Sequence, residues 1–414
     1  MKIGFFTDTY LPHINGVTIS VETCAQALEA RGHEVYIIAP KYPRYKEKRE
    51  RVYRLLSVKL PKSTGFRMAL QLPEKALLQI VGIDFDIIHG HPSGGGITFL
   101  GLETARFKNI PYVVTYHTFL NRYTHYVLYG KVINPKMVDF LTKLVGNLLD
   151  YIIAPTKRVK TELVSYGIKR PIHILPSGID TNNYQNIEKG FLRRKLKLAQ
   201  NKKILLCIAR LGKEKSVDFV IKSFSLIHKE SPDTVLVLIG DGHEKENLKN
   251  LAKDLKIEKS VYFCGVIAHK NIPKVYADAD LFVFASQSET QGLVILEALA
   301  SGVPVVAVKD DVFEGVITSG KNGYLVSDSK EFAERALTVI NNRPVHQAFS
   351  QEARLSVEKF SIEKTALYLE KLYEKLIKEK EVNSKRRKIQ RINVHQVRQF
   401  ISQVRTHLTN YLEI

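Results

Sequence analysis

The stretch LFVFASQSETQGLVILEALASGVPVVAV (Leu281–Val308) decides the fold. Leu281–Ser286 is a short, almost wholly apolar run, as in a strand covered on both faces. A polar loop follows, then an apolar helical stretch opening near Gln291 or Gly292, then a second apolar run, Val303–Val308. Strand, helix and strand in so short a span make a βαβ unit with parallel strands.

The same alternation extends in both directions. Upstream in this half, strands are expected at Ile204–Ala209, Val235–Gly240 and Val261–Gly265. The first half holds its own series, at Ile3–Thr7, Val35–Pro40, Phe85–His91, Tyr112–His117, Tyr151–Pro155 and Ile172–Leu175. Its first helix follows Gly16, carries Val17, Val21, Cys24, Ala25 and Leu28 on one face, and ends at Gly32. PSGID (Pro176–Asp180) and a polar, basic stretch to Lys203 separate the two series. A chain of 414 residues suits two domains. The expectation is therefore α/β, with two Rossmann-like domains whose parallel sheets face each other across a cleft.

Three separated cysteines, Cys24, Cys207 and Cys264, make neither a metal spacing nor a disulfide framework. The N-terminus lacks a signal-peptide pattern and no apolar run is long enough to span a bilayer, so a protein that is cytoplasmic, or peripheral to a membrane, is expected. Its net charge of +20 is uneven: Lys41–Arg67 holds ten Lys/Arg against two Glu. Tyr42, Tyr45, Val52, Tyr53, Leu55 and Leu56 interleave with those charges, a mixture suited to an anionic membrane surface. The basic C-terminal tail, with Val394, Val397, Ile401, Val404, Leu408 and Tyr411 at helical spacing, is expected to lie on that surface, to pair with another copy, or to dock on the second domain. No nucleic-acid reader module is evident.

Four constellations carry chemistry. In SETQGLVILEALASGVPVV, Glu289 precedes the helix and Glu297 lies within it. The amides of Thr290, Gln291, Gly292, Leu293 and Val294 would point into the cleft, where a helix N-terminus favours hydroxyl and phosphate oxygens. In IARLGKEKSVD (Ile208–Asp218), Arg210 ends a strand and Lys215 lies five residues later near a helix start, two cations suited to a phosphate-bearing ligand. TDTYLPHINGVTIS (Thr7–Ser20) joins the first strand to the first helix through an Asn15–Gly16 turn. TYHTFLNRYTHYV (Thr115–Val127) puts His117 at a strand end. GVITSGKN (Gly315–Asn322) imitates a P-loop but lacks its Ser or Thr, and DAD (Asp278–Asp280) precedes a strand, which suits helix capping rather than metal binding.

These segments resemble glycosyltransferase family 4, retaining enzymes of the two-domain GT-B fold, through Glu289-x7-Glu297 and Arg210-x4-Lys215. The resemblance runs to about Lys380. It implies that Glu289 contacts the donor sugar, Glu297 holds the ribose hydroxyls, and Gly16 covers the donor diphosphate. It also implies that His117 lies between donor and acceptor. His125 and Tyr126 recur in the subset that glucosylates diacylglycerol; His91 and Ser93 in HPSGGG are further acceptor-side candidates. The implied domains are 1–175 on the acceptor side, 176–358 for the nucleotide sugar, a 359–381 helix crossing back, and a 382–414 tail. The implied activity is hexosyl transfer, with retention, from a UDP-sugar to a membrane lipid such as diacylglycerol, on the cytoplasmic membrane face. A soluble sugar, an inositol lipid or a polyprenyl-linked glycan is the alternative acceptor, and a nucleotide-sugar epimerase the alternative enzyme. No cofactor or metal is expected, because the UDP-sugar is a substrate and two cations meet its diphosphate.

Overall fold

The computed structural model describes residues 1–59, 66–70, 75–94, 96–119, 121 and 135–384. His125, Tyr126 and residues 385–414 of the tail lie outside these.

The N-terminal sheet comprises β1 (Lys2–Thr7), β2 (Glu34–Pro40), β3 (Val52–Leu55), β6 (Ile87–His91), β7 (Tyr112–Thr115), β8 (Tyr151–Ala154) and β9 (Ile172–Ile174). β4 (Ser57–Lys59) and β5 (Arg67–Ala69) form a separate antiparallel hairpin. The sheet order is β3-β2-β1-β6-β7-β8-β9, parallel throughout. The helices here are α1 (Gly16–Ala30), α2 (Lys75–Gly82), α3 (Ile97–Lys108), α4 (Pro135–Gly146) and α5 (Lys157–Ser165). Both sheet faces are covered, which explains the continuous apolar reading of β1: Phe5 packs with α1 residues such as Val21, and Phe6 with α3 residues such as Leu100.

The second sheet comprises β10 (Lys203–Ile208), β11 (Thr234–Ile239), β12 (Val261–Phe263), β13 (Leu281–Phe284), β14 (Val305–Val308) and β15 (Gly323–Val326). Its order is β12-β11-β10-β13-β14-β15, also parallel. Around it lie α6 (Phe191–Leu196), α7 (Val217–Glu230), α8 (Lys245–Asp254), α9 (Ile272–Ala277), α10 (Leu293–Ala300), α11 (Ser329–Asn341) and α12 (Arg343–Ser356).

The final helix, α13 (Ile362–Ser384), leaves the second domain and packs on α1 of the first. Its Ile362, Ala366, Leu369, Tyr373 and Leu376 are buried in one cluster with Phe5, Val21 and Leu28. The two chain crossings between domains run side by side: Ile179 N–H donates to Phe360 O and Ile362 N–H to Ile179 O, both at 2.9 Å. Gly178 permits this, since a Cβ there would stand 2.6 Å from Ile362 Cα.

Each sheet has one switch point, where the strand order runs off in both directions. These are β1/β6 in the first sheet and β10/β13 in the second. Ligand crevices of open α/β sheets form beyond the carboxyl ends of such strands.

Two expected patterns resolve as architecture. Asp278 accepts from Gly190 and Leu192 N–H at the start of α6, and Asp280 from Ile204 N–H. Asn322 holds its turn by accepting from Thr318 N–H and donating to Val316 O.

Candidate active site

The β10/β13 switch point gathers Arg210, Lys215, Ser286, Ser288 and Glu289. Lys215 ends a short 3-10 turn, Lys213–Lys215, just before α7, and reaches across to the β13 exit. Its Nζ lies 2.6 Å from Glu289 Oε1, and Ser286 Oγ donates to the same oxygen at 2.8 Å. Burial pushes the Glu289 carboxyl up, but Lys215 and the Ser286 hydrogen bond outweigh it, leaving it below the usual carboxylate range. Glu289 is thus a held carboxylate. Arg210 donates to Glu214 Oε1 at 2.7 Å, and Glu214 ends low, since its backbone amide and Arg210 together outweigh burial.

Helix α10 begins after Gly292, whose φ of +75° and the Phe313 ring, 2.8 Å from where a Cβ would be, demand glycine. The helix therefore starts at Leu293, a residue or two later than the sequence suggested, and Leu293 and Val294 amides have no acceptor within it. One turn on, Glu297 is buried and accepts from Tyr276 Oη at 3.0 Å. Burial raises its carboxyl to about 7 against the lowering effect of Tyr276 and Tyr184, whose hydroxyls face it. Those rings meet edge to face at 6.1 Å.

The first domain closes over this loop. Thr290 Oγ1 donates to His117 O at 2.7 Å and Thr156 Oγ1 donates to Thr290 O at 2.9 Å. Gln291 turns its side chain away from the cleft onto the crossing: Ser177 N–H donates to its Oε1 at 2.8 Å and its Nε2 to Ser177 O at 2.9 Å. Arg158 on α5 pairs with Asp310 of the second domain.

At the β1/β6 switch point, Asn15 is the N-cap of α1, accepting from Thr18 N–H at 2.9 Å. Asn15–Gly16 is thus a helix cap, not a free-standing turn. A Cβ on Gly16 would lie 3.7 Å from Leu293 Cδ1, so the first turns of α1 and α10 face each other. His13, in the same loop, is held below its ordinary value by burial and by the Arg210 charge opposite. His91 Nδ1 meets His117 Nε2 at 3.0 Å, and the Ser93 N–H donates to Asp8 Oδ2 at 2.8 Å. Burial lowers His117 to about 4 and holds His91 well below its ordinary value, so both rings are neutral.

Several participants carried no sequence signal. Asp8 secures the start of α3 through Ser93, Ile97 and Thr98. Tyr184 and Tyr276 come from distant segments to flank Glu297, and Ser177 and Thr156 serve the interdomain contacts. Within Lys41–Arg67, Arg49 pairs with Glu22 and Glu29, and Arg54 with Glu47, all largely buried. These arginines hold the loop to α1 and to itself and are not a free patch; Lys41, Arg44, Lys46, Lys48, Arg51 and Lys59 are exposed. Among the described residues no cluster of three or more His, Cys, Asp or Glu could hold a metal ion, and no helix is long and apolar enough to cross a membrane.

Comparison with known proteins agrees with this geometry. The family model described as Glycosyltransferase Family 4 matches residues 14–183, and Glycosyl transferases group 1 matches residues 188–356. The chain is 31% identical over 375 residues to the alpha-monoglucosyldiacylglycerol synthase of Acholeplasma laidlawii, covering 87% of this chain and 93% of that one. It is 33% identical over 371 residues to the synthase of the same name from Streptococcus pneumoniae, covering 87% and 83%. Among solved structures, Anabaena HepE in complex with UDP and glucose superposes with a TM-score of 0.73 at 20% identity, over 91% of this chain and 100% of that one. The facing Rossmann-like domains, the two switch points and these matches together identify the chain as a hexosyltransferase that belongs to glycosyltransferase family 4 and has the GT-B fold.

Proposed function

We propose that this enzyme transfers glucose from UDP-glucose to a hydroxyl of diacylglycerol, with retention at the anomeric carbon, while held peripherally on an anionic, cytoplasmic membrane face. The observation that carries the reading is the identity of 31% and 33%, over 87% of this chain, to two proteins named for making monoglucosyldiacylglycerol.

The site chemistry supports it. The buried Glu297, beside two tyrosine hydroxyls, is an acceptor for ribose hydroxyls. Gly16 and the Leu293 and Val294 amides flank the diphosphate, and Thr290 and Gln291 hold that loop in place. Glu289, kept ionised by Lys215, accepts from the sugar hydroxyls. As the bond from C1 to the diphosphate oxygen breaks, Arg210 and Lys215 stabilise the charge that develops there. The acceptor oxygen bonds C1 on the same face, and its proton passes to the departing diphosphate. Two cations supply the stabilisation, so no metal is required. His125 and Tyr126 are kept as acceptor-side candidates.

For the membrane, Lys41, Lys46, Lys48 and Lys59 are exposed, as are Leu56, Val58 and Met68, the last two directly opposite on the β4–β5 hairpin. Cations beside apolar side chains suit an interface of anionic lipid.

The test is an acceptor screen with labelled UDP-glucose: diacylglycerol in anionic vesicles, an inositol lipid, a polyprenyl-linked glycan and a soluble sugar. Label in a diacylglycerol product supports the reading. Label only in a soluble sugar overturns the lipid acceptor, and conversion of the donor to another nucleotide sugar overturns transfer itself.

A further inference from the structure

Three imidazoles cluster at the carboxyl ends of β6 and β7. His89 and His91 lie on the same face of β6, ring centroids 4.3 Å apart, and His91 stacks on His117 at 5.3 Å. His89 is saturated: Nδ1 meets Tyr373 Oη of α13 at 2.5 Å and Nε2 meets Thr115 Oγ1 at 2.7 Å. His91 Nδ1 spends itself on His117 Nε2, while its Nε2 is buried with no partner among the protein atoms.

Two neutral rings whose nitrogens stand 3.0 Å apart share one N–H between them. If His117 Nε2 carried that proton, His91 would have to keep its own on Nε2, leaving a buried N–H with no protein acceptor. If His91 Nδ1 carries it, the Nε2 lone pair is left bare instead. A bare acceptor is better tolerated than an orphaned buried N–H. The proton therefore sits on His91 Nδ1 and is donated to His117, whose own proton is confined to Nδ1.

We infer that His91 is a positioning residue, fixing His117 as its Nδ1–H tautomer so that His117 offers the substrates a hydrogen-bond donor rather than a base. This rests on the proposed site of His117 between donor sugar and acceptor. The consequence is specific: the acceptor's proton cannot leave through His117 Nε2, which already accepts from His91, and the leaving diphosphate remains to take it. The same contact orients the ring, since it is hydrogen-bonded at one corner to a ring lying nearly parallel to it.

The experiment combines variants with a direct view of the tautomer. Nitrogen-15 NMR of the full chain, labelled at histidine and assigned with His117→Gln, should show His117 protonated at Nδ1 and bare at Nε2. His91→Asn keeps a donor near the Nδ1 position and should retain that signature with turnover within about fivefold of the parent. His91→Phe keeps a stacking ring but no donor; its kcat should fall roughly 10- to 100-fold while the donor KM moves less than about threefold. A His117 signal protonated at Nε2 in the unsubstituted protein overturns the inference, as does a His91→Phe protein with parental kcat. Turnover is followed on whichever acceptor the screen identifies, so a failed diacylglycerol reading leaves this test standing. The NMR arm needs no acceptor at all.

Discussion

Lys215 Nζ and Glu289 Oε1 stand 2.6 Å apart, joining the exits of β10 and β13 across the switch point of the second sheet. The pair keeps a mostly buried carboxylate charged and fixes an ammonium beside it; in the proposed reaction that carboxylate meets the sugar hydroxyls and that ammonium the departing diphosphate.

Lys215→Ala should lower kcat about 10²- to 10³-fold, the usual cost of removing one group that stabilises developing charge. It also strands Glu289, so stability at pH 7 should drop by about 3 kcal/mol. The folded carboxyl is held low, so its contribution is present above the unfolded value of 4.5 and is lost as pH falls through the folded one. Urea denaturation at pH 7 and at pH 4 should show the gap between variant and parent shrinking in acid; an equal gap at both would contradict the ion-pair account.

Glu297 carries the opposite sign. Its carboxyl ionises near 7 in the fold against 4.5 when free, so the folded protein is favoured below 4.5 and loses that advantage as pH rises through about 7. The ionised state thus costs about 3 kcal/mol. Glu297→Gln should be as stable as the parent near pH 4 and more stable at pH 8, while binding UDP at least tenfold more weakly. Calorimetry reads both; undiminished UDP affinity would remove Glu297 from the ribose site.

Gln291→Ala tests the crossing rather than the donor. It removes the acceptor of the Ser177 N–H, a buried group whose loss of partner costs about 1–3 kcal/mol. The midpoint of denaturation should fall accordingly, with donor KM changing less than kcat. A large rise in donor KM alone would mean that the side chain reaches the donor.

Much of the fold was legible because buried parallel strands read as short, unbroken apolar runs, and LFVFAS and VPVVAV leave little alternative. β3 was not, since VYRL sits at a sheet edge among charges and is only half buried. β15 was hidden because GYLV follows a turn and alternates with partly exposed positions. At the candidate site, Glu289, Glu297, Arg210 and Lys215 stood out in the sequence through their positions and the family resemblance, and the structure gathers Arg210, Lys215 and Glu289 at one switch point. The tyrosines beside Glu297 and the carboxylate of Asp8 did not stand out, because their roles arise from tertiary approach alone. Arg49 shows the limit of counting charge: a cation between Glu22 and Glu29 adds to a formal total without adding to a surface.

That distinction sets the membrane prediction. Replacing Lys41, Lys46, Lys48 and Lys59 with Glu should abolish sedimentation with anionic vesicles at low salt, each cation being worth about 1 kcal/mol there. The parent should itself release in 1 M salt, where the Debye length is ~3 Å. Arg49→Glu should instead lower thermal stability. Undiminished vesicle binding by the four-lysine variant would move the membrane contact elsewhere on the chain.

The most direct measurement is proton NMR of the first product formed from UDP-glucose and diacylglycerol in anionic vesicles. The account predicts a glucosyldiacylglycerol whose anomeric proton shows the small coupling of an α-linkage, formed about 10²- to 10³-fold more slowly with Arg210→Ala. A β-linked product, or glucose appearing only in water or on a soluble acceptor, would contradict it.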